Sequence, residues 1–179
     1  IGASTLRTPT PPSAPTPPAW PAAPASLPEV EARVLVVSDL ALPLGESILA
    51  SVSRNLDVLR EQGVVLSGDL LPGQDERTID EIASLRRDRG RLPIDSDQLP
   101  GRVRDWMRTR DVEGVLLLAP GATPGEVRSV LIGRDFEAAA PWDDAAPRFL
   151  RLLDEHEAPG ARSSRASRDP GKPGQRVRG

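Results

Sequence analysis

Apolar residues along this chain change their period several times, and each change predicts an element. Arg33 to Val37 reads Arg-Val-Leu-Val-Val. A continuous, β-branched run of that length fits a strand buried on both faces of a parallel sheet. From Glu46 the spacing becomes helical, with Ile48, Leu49, Val52, Leu56 and Leu59 on one side and Gly63 as the stop. Val64 to Leu66 reads as the next strand and closes a strand–helix–strand unit. A second helix is predicted over Asp75 to Arg89, burying Ile79, Ile82 and Leu85, with Gly90 and Pro93 ending it. Leu99, Val103, Trp106 and Met107 mark a third helix from near Pro100, and Gly114 to Leu118 a third strand. Thr123-Pro124-Gly125-Glu126 supplies the residue types of N-cap, N1 and N3. That is a capping box with proline at the first helical position, so a helix carrying Val127, Val130 and Leu131 is expected to follow. A last helix, Asp144 to Glu157, buries Phe149, Leu152 and Leu153 and holds Pro147 in its tolerant first turn.

Strands alternating with helices predict an α/β fold: a small three-layer domain over residues 29–157 with a short parallel sheet. Three strands make a small sheet for that architecture, and a missing piece would explain it. Residues 1–28 contain nine prolines with threonines and alanines between them. This composition predicts a disordered, extended polyproline-like linker. Trp20 within it reads as a docking contact rather than a site. Thr/Pro/Ala spacers commonly separate an anchor from an exported domain, which places the expected location in the cell envelope, extracytoplasmic or membrane-associated. A terminus with no role of its own fits the composition equally. Residues 158–179 set Arg162, Arg165, Arg168, Lys172, Arg176 and Arg178 against Asp169 alone among Gly, Ser and Pro. They predict a disordered basic tail, either simply solvated or touching acidic surfaces or anionic lipid. The abrupt change of composition also fits a frame-shifted end, and Ile1 in first position fits a piece of a longer chain.

Composition narrows the chemistry. None of the 179 residues is cysteine, which removes disulfides, thiolate metal sites and cysteine nucleophiles. His156 is the one histidine, so centres needing several imidazoles are excluded. No apolar run approaches the ~20 residues that span a bilayer, so membrane contact is expected only through a segment outside this chain. All basic residues but Lys172 are arginines, yet residues 29–157 carry 16 basic against 25 acidic side chains. Such a body repels phosphate backbones, so no nucleic-acid partner is expected.

In a parallel α/β sheet, ligands meet the loops that follow the carboxyl ends of the strands. Three such loops carry polar residues: Ser38-Asp39, Ser67-Gly68-Asp69 and Pro120-Gly121-Ala122-Thr123. If the strands are neighbours, Asp39 and Asp69 approach each other, as a pair for a divalent cation or with one as an acid–base group. A helix starting at Thr123 would favour an anion. Aspartate after a strand is also an ordinary turn former. Val36-Val37-Ser38-Asp39-Leu40 and Val65-Leu66-Ser67-Gly68-Asp69 have the look of calcineurin-like metallophosphoesterase blocks. Ala41, Pro72 and Gly121-Ala122 stand where those enzymes need a histidine, an acid and an Asn-His pair, so a binuclear centre is not expected, and no metal or other cofactor is.

The order of blocks resembles the SGNH (GDSL-like) esterase fold, in the version appended to membrane O-acyltransferases. A Pro/Thr/Ala linker leads into Arg33-Val34-Leu35-Val36-Val37 and then Ser38-Asp39-Leu40-Ala41-Leu42-Pro43-Leu44-Gly45-Glu46, similar to the family's strand, Gly-Asp-Ser block and helix. Gly68-Asp69-Leu70-Leu71-Pro72-Gly73 is similar to the second block. Trp106, Val115 to Leu118 and Gly121 resemble the helix, strand and third block, and Trp142-Asp143-Asp144 the lead into the last helix. The resemblance covers about residues 20–162. It implies Ser38 and Asp39 as catalytic candidates, with Gly68, Asp69, Gly121 and Thr123 in the oxyanion or ligand loops. Leu40 holds the nucleophile position itself, no asparagine stands in the third loop, and Asp154-Glu155-His156 has one residue fewer between acid and base than the family's Asp-x-x-His. On a helix that spacing puts the two side chains about 200° apart. Losing a base and an oxyanion donor removes roughly 10²–10⁴ in rate each. The expectation is an SGNH-like domain of a cell-envelope acyl-transfer or esterase protein, catalytically impaired, acting if at all on an acylated or sugar envelope substrate. The alternative is a non-catalytic α/β interaction module tethered by its Pro-rich linker, its acidic body meeting a basic partner.

Overall fold

In the computed structural model, which describes residues 26–86 and 97–157 together with Gly2 and Pro12, the apolar run forms strand β1, Arg33–Ser38. It is buried on both faces because it has a neighbour on either side. Strand β2 (Val65–Gly68) pairs with it in parallel, Arg33 opposite Val65. Strand β3 (Gly114–Pro120) pairs in parallel on the other side, Val34 opposite Gly114 and Ser38 opposite Leu118. The three segments beginning near Arg33, Val64 and Gly114 therefore lie side by side and point the same way.

Side chains of β1 alternate between two cores, as strand geometry requires. Val34 and Val36 face a cluster containing Val52, Leu56 and Leu59 of helix α1 (Glu46–Glu61). Leu35 and Val37 face the opposite cluster, with Ile82 and Leu85 of helix α2 (Glu76–Leu85) and Leu99, Val103, Trp106 and Met107 of helix α3 (Leu99–Met107). The first cluster is completed by Trp142, which opens a short 3-10 turn (Trp142–Asp144), and by Phe149, Leu150 and Leu153 of helix α4 (Ala145–Glu155). Helices thus cover both faces of one sheet, and the domain is a three-layer α/β fold.

Local chemistry sets the helix ends. Asp75 caps α2 by accepting from the Thr78 amide at 2.7 Å. At the other end the chain turns extended at Arg86, four residues before the glycine expected to stop it. Residues 87–96 lie outside the described residues, as do nearly all of the Pro-rich linker and the whole basic tail.

Ile79, expected in the core of α2, is 52% exposed, and a second expectation is overturned. Val127, Val130 and Leu131 do not follow a helix start; they belong to strand β4 (Val127–Gly133), antiparallel to β3 with Leu117 opposite Val130. A further strand, β5 (Glu137–Pro141), lies antiparallel on β4. The sheet therefore has five strands in the order β2-β1-β3-β4-β5, parallel over the first three and antiparallel beyond. Thr123-Pro124-Gly125-Glu126 is the turn of the β3–β4 hairpin. The Glu126 amide donates to the Thr123 carbonyl at 3.1 Å, and Gly125 sits at φ 83°. Proline second and a left-handed glycine third make a type II turn, and no helix anchored at Thr123 exists to favour an anion.

Gly68 ends β2 at φ 126°, and a Cβ there would overlap the carbonyl oxygen of Val36. Gly73, at φ 78°, has open space around it. Gly68→Ala is expected to cost more than about 3 kcal/mol in urea unfolding, because strain and a backbone clash combine. Gly73→Ala should cost only about 1–2 kcal/mol, the left-handed penalty alone. Equal losses would show that β2 does not approach β1 this closely.

Candidate binding site at the carboxyl ends of the strands

Parallel pairing brings the first two predicted loops together. Ser38 is the last residue of β1 and is buried, while Asp69 follows Gly68 at the end of β2. Their backbones are tied to the sheet: the Asp39 amide donates to the Leu118 carbonyl at 2.7 Å and the Asp69 amide to the Val36 carbonyl at 2.9 Å.

The side chains are tied as well. Oδ2 of Asp69 accepts from the Ser38 amide at 3.1 Å and from Nη2 of Arg86 at 2.7 Å. The same guanidinium nitrogen donates to the Ser38 carbonyl at 2.9 Å. Both partners of the ion pair are about three-quarters buried, with side-chain exposures of 26% and 24%. The Arg86 carbonyl accepts in turn from Arg102 of α3 at 3.1 Å, which carries the clamp across to the next helix. Ser38 Oγ accepts from the Leu40 amide at 3.2 Å, the short serine turn common after a strand. Gln74 donates to the Gly68 carbonyl at 2.5 Å.

Gly121 and Thr123 stand apart from this cluster, on the β3–β4 hairpin. Oε2 of Glu126 accepts from both the amide and the hydroxyl of Thr123, at 3.2 and 2.7 Å. A Cβ at Gly121 would strike the Glu126 side chain. Between this hairpin and the β1–α1 loop lies a cleft of about 370 Å³, lined among others by Leu40, Pro43, Leu44, Ile48, Pro120 and Pro124. Its walls are largely apolar, so it differs in character from the Ser38–Asp69 cluster.

His156 lies at the other end of the sheet. It borders a second cavity, about 340 Å³, with Glu31 and Ala32 ahead of β1 and Asp111 and Glu113 ahead of β3. There its ring stacks on Phe136 at 4.5 Å and its Nδ1 contacts the Leu152 carbonyl at 2.9 Å. A strand of six residues separates it from Ser38, roughly 17 Å at 3.3 Å per residue. Serine and imidazole therefore do not meet. Among the described residues no group of three or more Asp, Glu or His gathers in a way that would hold a metal ion.

Arg86 is the site residue that sequence reading passed over. It lay within a helix expected to run to Arg89, and nothing local distinguishes it from its neighbour Arg87. The available signal was the aspartate following a strand-end glycine, which needs a partner when buried.

No protein-family model matches this chain, and no curated protein does. Among solved structures, prolyl-tRNA synthetase from Cryptosporidium parvum, crystallised with L-proline and AMP, matches at 14% identity with a TM-score of 0.36. That match covers 71% of this chain and 22% of the synthetase. A likeness of that size carries no argument about function.

Two predictions follow from these bonds. Asp69→Ala and Arg86→Ala should each cost about 1.5–3 kcal/mol in urea unfolding, and the double variant less than their sum. Full additivity would show that the pair does not interact. Separately, Thr78 holds the Asp75 carboxyl below its ordinary range through its hydroxyl and amide, and Thr123 does the same for Glu126. A depressed folded-state value means that each carboxylate stabilises the fold above the ordinary carboxylate range, and that this is lost as pH falls through the lower value. Stability of the wild-type chain should therefore fall below about pH 4, and fall less in Asp75→Asn/Glu126→Gln. Parallel pH profiles would contradict the assignment.

Proposed function

We propose that this chain is a non-catalytic α/β interaction module whose acidic body meets a basic partner. The observation that carries the reading is the state of the strand ends: Asp69 is bonded to Arg86 and the Ser38 amide, and Ser38 Oγ to the Leu40 amide. A nucleophile needs a base within hydrogen-bond reach. The one imidazole of the chain stands a strand length away. The charge of residues 29–157, 25 acidic against 16 basic, favours a cationic partner and steers its approach. Glu31, Asp111, Glu113, Asp135 and Glu157 outnumber Arg134 around the Phe136–His156 cavity at the amino end of the parallel strands, with Asp111 paired to Arg33 at 2.9 Å.

A second reading keeps the esterase chemistry that the block order implies. Ser38 at the end of β1, beside Gly68 and Asp69 of the second block, supports it. Residual activity on an envelope ester would then belong to Ser38.

One pair of assays separates the two. The interaction reading predicts no p-nitrophenyl acetate turnover above buffer, no labelling by a serine-reactive phosphonate, and identical behaviour of wild type and Ser38→Ala. It also predicts that an arginine-rich peptide binds at low ionic strength and is released as salt screens the charges. Turnover abolished by Ser38→Ala would replace it with the esterase reading. Salt-independent peptide binding, or none, would remove the charge argument.

A further inference from the structure

Strand β5 closes one side of the sheet and has a partner, β4, on its other side only. The Gly133 amide donates to the Phe136 carbonyl at 2.9 Å and starts the β4–β5 ladder. Antiparallel bonding alternates from there along the register. Ala138 and Ala140 therefore bond to β4, while Glu137, Ala139 and Pro141 turn their backbone groups outward. One outward group is held: Nη1 of Arg148, on α4, donates to the Ala139 carbonyl at 2.9 Å. The outward amides of Glu137 and Ala139 have no partner among the described residues. An edge of that kind is a template for another strand.

We propose that the added strand is β5 of a second copy of this chain, antiparallel about a two-fold axis through Ala139. Three features select that occupant. The first is backbone complementarity. About this axis the Ala139 amide donates to the copy's Ala139 carbonyl and receives the reciprocal bond. The Glu137 amide donates to the copy's Pro141 carbonyl. Proline has no N–H to return, so the Glu137 carbonyl is left over.

The second is charge. The new bond competes with Arg148 for the Ala139 carbonyl. The same register sets the copy's Glu137 opposite Pro141, one bonded pair along, or about 7 Å. A released Arg148 guanidinium thus meets the carbonyl and carboxylate of the copy's Glu137, and the symmetry makes this contact twice. No like charges face each other.

The third is access. Glu137, Ala139 and Pro141 are exposed, and the small side chain at the axis lets the backbones approach. The opposite edge, β2, has four residues, none of them charged, and its Gly68 carbonyl is held by Gln74. The β5 contact is small, so its expected dissociation constant is on the order of 0.1 mM. It uses none of the carboxylates around the Phe136–His156 cavity and does not rest on the charge-based reading.

Sedimentation equilibrium of the full chain from about 10 µM to about 1 mM should show a monomer–dimer equilibrium. The amide resonances of Glu137 and Ala139 should move with concentration more than those of Ala138 and Ala140. Ala139→Pro removes the central donor and spares the β4 ladder, because that N–H faces away from β4. It should weaken association roughly tenfold or more, since two interchain hydrogen bonds are lost. Glu137→Arg should weaken association several-fold, and Glu137→Arg/Arg148→Glu should restore it. All three positions are exposed, and unchanged far-UV circular dichroism separates lost association from lost fold. A chain that stays monomeric throughout the range would overturn the proposal. So would a dimer indifferent to Ala139→Pro, which would place the contact elsewhere, or a charge swap that fails to restore association, which would exclude the register.

Discussion

A single carboxylate, that of Asp69, closes the carboxyl end of the sheet. It accepts from the Ser38 amide at the end of β1 and from Arg86 at the end of α2, so two adjacent parallel strands and the helix behind them end on one atom. Parallel strands finishing together leave backbone amides without sheet partners, and a buried unpaired amide costs on the order of 1–3 kcal/mol. Asp69 meets that need for Ser38, and Arg86 neutralises the charge that does so. The close approach of β2 to β1 that permits it depends on Gly68, where any side chain would meet the Val36 carbonyl.

This arrangement also limits the chemistry. An aspartate shared between an amide and a guanidinium is held in place by both. Ser38 Oγ accepts from the Leu40 amide of its own loop, and the imidazole of His156 lies at the other end of the sheet. At the other end, carboxylates surround Phe136 and His156. The two poles differ in lining: the cleft beside β1 and the β3–β4 hairpin is largely apolar, and the cavity at the amino end is largely polar at its rim.

Much of this was legible in the amino-acid order. The run Arg33–Val37, the helical spacing of Val52, Leu56 and Leu59, and the apolar stretch at Val115–Leu118 each carry one period and one meaning. They yield three parallel strands, with Ser38 and Asp69 at neighbouring ends. The hairpin was hidden because Thr-Pro-Gly-Glu satisfies two local rules. Glu126 does reach back to the Thr123 amide as in a capping box, but Gly125 at positive φ turns the chain into a strand. What decides between them is nonlocal: Leu117 and Val130 pair across the sheet, and alternating burial from Val127 to Leu131 follows from that pairing. β5 was hidden for a related reason. Glu-Ala-Ala-Ala-Pro has weak strand propensity and is held by its partner strand. Arg86 is visible only once α2 is known to end one residue before it.

Amide hydrogen exchange at Ser38 tests the central claim most directly. If Asp69 holds this amide, Ser38 exchanges as slowly as the interior residues of β1, and Asp69→Ala releases it while Leu35 and Val37 stay protected. A Ser38 amide that exchanges in the wild-type chain at the rate of an exposed loop would contradict the account.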